Sequence, residues 1–253
     1  MLVRLTYILL FLVFIGCTSA NENDVQREDY RDTIIEMDLG KKLNDKIPDS
    51  LFLYRNLKYL NICCNELSNF DPRIVELSKL RKLDLYHTDI KNFPDEFYTL
   101  TNIEELDLTS MYKLDYQSVL PKLHKFPKLA KLHLGCNQMK SPKINFSRMS
   151  NLEEFGFINQ EELDIKHLLI DISKAKKIRV IHLSGNNIET LPLEIKLLSN
   201  LEELNLYNNK LTTLPEDLIE LKNLKEVTLI DNPVNKEKIK KLERLMPKAK
   251  FIY

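Results

Sequence analysis

From Ile34 onward, apolar residues recur at fixed offsets in segments of 23 or 26 residues. Each segment opens with an alternation in which apolar residues, most often leucine or isoleucine, stand at places one, four and six. In the segment from Leu80, Leu83 and Leu85 form the inward pair, while Lys82, Asp84 and Tyr86 face outward. A two-residue period of this kind predicts a short strand with one buried face. Ile90, Phe93, Phe97 and Leu100 then carry a looser apolar period, which predicts an irregular or short helical return. Pro94 is suited to the first turn of that return. Near the C-terminus, Lys236 to Leu245 reads as an amphipathic helix with Ile239, Leu242 and Leu245 on one face. Met246-Pro247 ends it, and Lys250 to Tyr253 reads as a last short strand.

The segments begin at Ile34, Leu57, Leu80, Ile103, Leu129, Leu152, Ile178, Leu201 and Leu224. The steps between them are 23, 23, 23, 26, 23, 26, 23 and 23 residues. Asn occupies place nine in five copies, at Asn65, Asn137, Asn186, Asn209 and Asn232, with Lys42, Thr88, Met111 and Gln160 in the others. An amide both donates and accepts, so it suits a turn whose backbone groups need partners. Met111 and Gln160 fall in the two longer copies, where irregularity is expected around residues 109–126 and 158–175.

These residues match L-x-x-L-x-L-x-x-N-x-L, and the chain resembles the leucine-rich repeat family over Ile34 to Tyr253. The resemblance implies an α/β leucine-rich repeat solenoid of about nine repeats. Its parallel sheet lines the concave face, and short helical or 3-10 segments form the convex one. No single repeat buries its apolar face, so neighbours must stack into one continuous core. The division expected is a leader at 1–16, a polar tether at 17–33, repeats at 34–235 and a capping helix and strand at 236–253.

Lys and Arg together number 37, as do Asp and Glu, so no global field favours nucleic acid or an anionic membrane. The N-terminus is different in kind. Arg4 precedes an apolar run from Leu5 to Ile15, too short for the ~20 residues of a spanning helix. A charged start, a short apolar run and small residues after it read as a secretory signal. The run ends V-F-I-G-C, which resembles a bacterial lipobox of the relaxed kind seen in spirochaete lipoproteins; the resemblance implies lipidation of Cys17. The alternative is an ordinary signal cut near Ser19-Ala20, with Cys17 incidental. The first reading makes the chain an exported cell-envelope protein of the outer membrane or surface, held by a lipid anchor alone.

Candidate chemistry is sparse. Cys63, Cys64 and His87 fall at places seven and eight of adjacent copies and form a weak zinc candidate, since only three ligands are in reach. His133 and His182 share place five but lie two strand steps apart, around 10 Å, too far to share an ion without movement. Cys136 lies about 14 Å from the Cys63-Cys64 pair, so no disulfide framework is expected. Glu104-Glu105, Glu153-Glu154 and Glu202-Glu203 resemble paired catalytic carboxylates, but Arg81-Lys82, Lys131, Arg179 and Lys225 occupy the same places in intervening copies. Alternating signs on adjacent strands predict cross-strand pairs. With no nucleophile elbow, phosphate loop or His-Glu-x-x-His, neither an enzyme nor a cofactor is expected.

The resemblance implies recognition of a partner protein, a host component among the candidates, on the concave face. Outward residues there include Tyr59, Cys63, Tyr86 and His87 toward the N-terminus and Ile158, Val180, Tyr207 and Ile230 toward the C-terminus. Aromatic and aliphatic groups among charges have the character of interface anchors. A periplasmic scaffold is the alternative function.

Overall fold

The structure is a computed structural model that describes residues 30–137 and 139–253. The leader, Cys17 and most of the expected tether lie outside the described residues. Among the described residues, ten short strands form one parallel sheet in chain order. They are β1 (Glu36–Asp38), β2 (Tyr59–Asn61), β3 (Lys82–Asp84), β4 (Glu105–Asp107) and β5 (Lys131–Gly135). The sheet continues through β6 (Glu154–Ile158), β7 (Val180–His182), β8 (Glu203–Asn205), β9 (Glu226–Thr228) and β10 (Lys250–Ile252). Register follows the repeat, with Leu60 beside Leu83 and Leu83 beside Leu106. A solenoid with one strand per turn is the result, and the predicted fold class holds.

The strands are short because each turn must return to its own start. Between strands the chain runs back through 3-10 turns such as Asp95–Thr99, Leu193–Leu197 and Glu216–Glu220. Pro94, Pro192 and Pro215 stand in extended conformation just before these turns and set their entry. The longer copies differ as their extra residues dictate. They carry α1 (Tyr116–Val119), which runs into a 3-10 segment Leu120–Lys125, and α2 (Ile165–Ile172). Asp115 and Asp164 cap these helices, accepting from the backbone N–H groups of Gln117 and His167.

The core is a single stripe between sheet and turns. Leu83, Leu85, Ile90 and Phe97 are fully buried in one repeat, and the same places are buried along the chain. Phe70 meets Phe93 and Phe97 edge to face, as Phe97 meets Phe126, with centroids 5.1 Å apart, while Phe93 and Phe97 lie tilted at 4.4 Å. The final helix, α3, spans Lys236–Leu245 and is capped by Asn235. It buries Ile239 and Leu242 against the last turn, but Leu245 points outward and Met246 is buried in its place. The helix ends at Leu245, and the chain leaves with Met246 turned back toward the core. Cap strand β10 pairs with β9 and covers that edge of the sheet.

Candidate functional site on the sheet face

Side chains at places three, five and seven stand on the sheet face, and place eight rims it. The turn at place eight is set by the backbone, whatever residue occupies it. Lys41, Cys64, His87, Ser110, Cys136, Asn159, Gly185, Asn208 and Asp231 all have φ between 51° and 70°. The N–H groups of all but Asp231, which lies in the last copy, point along the solenoid and donate to the place-seven carbonyl of the next copy. Examples are Cys64 to Tyr86 at 2.8 Å, His87 to Thr109 at 3.0 Å and Asn208 to Ile230 at 2.9 Å.

Below this rim, place nine fills the role its amide suggests. Asn209 Nδ2 donates to the carbonyls of Leu206 in its own copy and Leu183 in the copy before, both at 2.9 Å. Its Oδ1 accepts the N–H groups of Asn186 and Ile188, both at 3.0 Å. Asn65, Asn186 and Asn232 make the same kind of bridge. Asn137 does not: both amide atoms are buried with no hydrogen bond among the described residues. The carbonyl of Leu108, which that bridge would use, accepts the Tyr116 hydroxyl at 3.1 Å instead. Helix α1 of the longer copy brings that tyrosine into place.

A second ladder runs along the opposite rim, on the residue just before place one, and sequence reasoning missed it. Asn56, Asn102, Asn151, Asn200 and Asn223 donate to backbone carbonyls one copy earlier, at 2.8–3.0 Å. Lys79, Lys128 and Lys177 occupy the same place in alternate copies and donate to Asn56, Asn102 and Asn151. The signal was present as Asn alternating with Lys at a fixed offset.

Charge on the face alternates as the sequence implies. Arg81 meets Glu104 at 2.6 Å, Lys82 meets Glu105 at 3.2 Å, and Arg179 lies between Glu153 at 2.6 Å and Glu202 at 3.6 Å. Lys225 meets Glu202 at 2.6 Å. Glu104, Glu105, Glu153, Glu154 and Glu202 are therefore occupied in cross-strand ion pairs, whereas Glu203 stands in register between Val180 and Glu226.

Apolar groups fall in two places. Tyr86 and His87 lie on the N-terminal half, and Tyr112, 65% exposed, joins them from the next copy, its ring 5.8 Å from that of His87. Toward the C-terminus, Ile158, Tyr207 and Ile230 share column seven, interrupted by Ser184. Tyr207 and Ile230 are exposed, whereas Ile158 is half-buried over Gly135. Val180 and Tyr59 are half-buried in column three.

Cys63, Cys64 and Cys136 are free thiols. Burial, the neighbouring Cys64 and the Asp84 carboxylate push the Cys63 thiol up to about 11. Among the described residues Cys63, Cys64 and His87 do not bring three ligand atoms together, and His87 lies against the rings of Tyr86 and Tyr112. The side chains that do converge are His133, Glu154 and His182, whose ligand atoms lie within 4.8 Å of one another. His133 Nε2 lies 2.8 Å from Glu154 Oε1, and His182 Nε2 lies 3.3 Å from the same oxygen. This corrects the expectation of a 10 Å gap, because the two ring centroids are 5.8 Å apart. Gly156 is the reason. It occupies place five on the strand between them, and a Cβ there would stand 2.9 Å from His133 Cδ2. With no side chain in the way, the imidazoles lean together over it. His133 Nδ1 faces Asp107 Oδ2 at 3.9 Å, an ion-pair separation. Asp107 and Glu154 together push His133 up to about 9, while His133 and His182 hold Glu154 far below the usual carboxylate range.

A leucine-rich repeat family profile matches residues 55–110 and 176–234. Similar solved folds include an internalin from Listeria monocytogenes, 18% identical with a TM-score of 0.56, covering 80% of this chain and 62% of that one. A TLR13–ssRNA13 complex gives 18% identity and a TM-score of 0.63 over 87% of this chain and 37% of that one. The Drosophila Toll–Spatzle complex gives 21% and 0.58 over 81% and 27%. Adenylate cyclase of Schizosaccharomyces pombe is 34% identical over 64 residues, which is 25% of this chain and 4% of the cyclase. The chain thus spans only part of the relatives it matches, and at these identities the structures speak for the fold. Among the described residues no helix is long and apolar enough to cross a membrane. Register, sheet topology and family profile agree: the chain is a leucine-rich repeat protein.

Proposed function

We infer that this solenoid is a non-catalytic module that binds a partner protein on its sheet face, within an exported envelope lipoprotein anchored at Cys17. The observation that carries the binding reading is the preordered face itself. Backbone ladders on both rims fix the strands, so Tyr86, Tyr112, Tyr207 and Ile230 are presented without a large ordering cost on association. The Toll structure is a complex with Spatzle, and it supports a protein ligand as one use of such a fold. The neutral charge balance supports protein over nucleic acid. Cys17 and the leader support export and anchoring through the sequence alone.

The test is photocrosslinking in cells that carry the full chain. A photoreactive residue at Tyr112 or Tyr207 should give discrete protein adducts, and one at convex Leu193 should not. Adducts from Leu193 alone would overturn the sheet-face reading. Protease shaving of intact cells, with Cys17→Ala as the anchoring control, tests the surface location. Loss of the native protein to protease, together with release of the variant from membranes, is expected; protection until the envelope is opened would favour a periplasmic scaffold.

A further inference from the structure

We propose that His133, Glu154 and His182 form a binding site for zinc or another late first-row divalent ion on the sheet face. The donor set is two imidazole nitrogens and one carboxylate oxygen, which suits borderline ions and not calcium or magnesium. Zinc ligands lie about 2.0–2.2 Å from the ion, so tetrahedral donors stand roughly 3.3–3.5 Å from each other. The two nitrogen-to-oxygen separations, 2.8 and 3.3 Å, are already near that value. The three residues project from neighbouring strands, β5, β6 and β7, and all three ligand atoms lie within 4.8 Å of one another, so the adjustment needed to seat an ion is small.

Two further features fit a metal better than a chance cluster. Asp107 lies 3.9 Å from the far nitrogen of His133, an ion-pair separation on the side where a carboxylate can close to orient a ligating histidine. Lys131 lies 3.5 Å from Glu154 Oε2, leaving Oε1 as the oxygen turned to both imidazoles. His133 and His182 are about a third exposed and Glu154 is less so, which leaves a fourth coordination position open to solvent. Gly156 clears the space that lets the rings meet. The chemistry is that of a three-ligand site with an open position.

The experiment uses the tag-free full chain in detergent, stripped with a chelator and titrated with zinc alone and then with cobalt alone. One ion per chain is expected. The cobalt spectrum should show ligand-field bands without thiolate charge transfer, and Cys63→Ser with Cys64→Ser should leave it unchanged. His182→Gln should weaken zinc binding at least tenfold. His182 has the fewest structural contacts of the three, and thermal unfolding of the stripped variant checks that it folds. Zinc should raise the melting temperature of the parent chain and not of the variant, and magnesium should raise neither. Equal zinc binding by parent and variant, a thiolate signature lost with the cysteines, or no binding at all would each overturn the site.

Discussion

Gly135 lies beneath the side chain of Ile158: a Cβ at 135 would stand 2.4 Å from Ile158 Cγ1 and 2.8 Å from the Ile158 carbonyl oxygen. The two residues are register partners on β5 and β6. Backbone as well as side chain blocks relief, so Gly135→Ala should cost about 1–3 kcal/mol by overpacking. Ile158→Ala should also destabilise, by about 1 kcal/mol, since the side chain is half-buried. Tyr207→Ala and Ile230→Ala should stay within about 0.5 kcal/mol of the parent. Urea unfolding of the four variants checks the order. Ile158 is therefore partly a packing residue, and only Tyr207 and Ile230 are clean probes of binding in that column.

Asn209 and Asn137 occupy the same place and should behave differently. Asn209→Ala leaves the Leu183 carbonyl and the N–H groups of Asn186 and Ile188 without their partner, while the Leu206 carbonyl keeps Asn232. At ~1–3 kcal/mol for an unsatisfied buried group, a loss of about 3 kcal/mol or more is expected. Asn137→Ala removes an amide with no hydrogen bond among the described residues and should cost well under half as much. Chemical denaturation of the pair is the measurement, and equal losses would contradict the ladder account.

Cys63 gives a pH dependence of known sign. Its thiol is raised from 9.0 to about 11 in the folded chain, so folding disfavours the thiolate. Stability from this group is fully present below pH 9 and is lost as pH rises through about 11. In a variant whose other cysteines are serine, iodoacetamide should react with Cys63 slowly, and the rate should keep climbing past pH 9 without a plateau. A plateau near the ordinary thiol value would refute the burial argument.

Arg179 lies between Glu153 and Glu202; Arg179 and Glu153 are substantially exposed and Glu202 is half-buried. Arg179→Glu sets three like charges side by side across adjacent copies. It should destabilise by about 1 kcal/mol at low ionic strength, and most of that loss should vanish in ~1 M salt. Melting temperatures at two salt concentrations decide it.

The repeat register, the strand places and the Lys236–Leu245 helix were legible because each rests on a periodic apolar signal. Features that depend on side chains meeting across strands were not. Place-five geometry put His133 and His182 two steps apart, and strand spacing alone says nothing of an absent side chain between them. Gly156 was the readable clue, since a glycine inside a strand often marks a close approach. Leu245 fitted the helical face by period, yet the helix stops there and Met246 takes the buried position. The left-handed row at place eight escaped notice because its residues share no chemistry. Cys64 and His87 looked like possible ligands, when what they have in common is a backbone angle.

That row has an engineering consequence. Eight of its nine residues carry a side chain in a conformation that L-residues disfavour by roughly 1–2 kcal/mol, and only Gly185 escapes. None of the eight is β-branched, the class least tolerant of that angle. The shape of the turn comes from the ladder, so the identity of the residue there is free to drift. A protein of this build can acquire new surface chemistry along the exposed part of one rim without relearning how to fold, and glycine at exposed positions such as His87, Asn159 and Asn208 can harden the same rim without altering a buried contact.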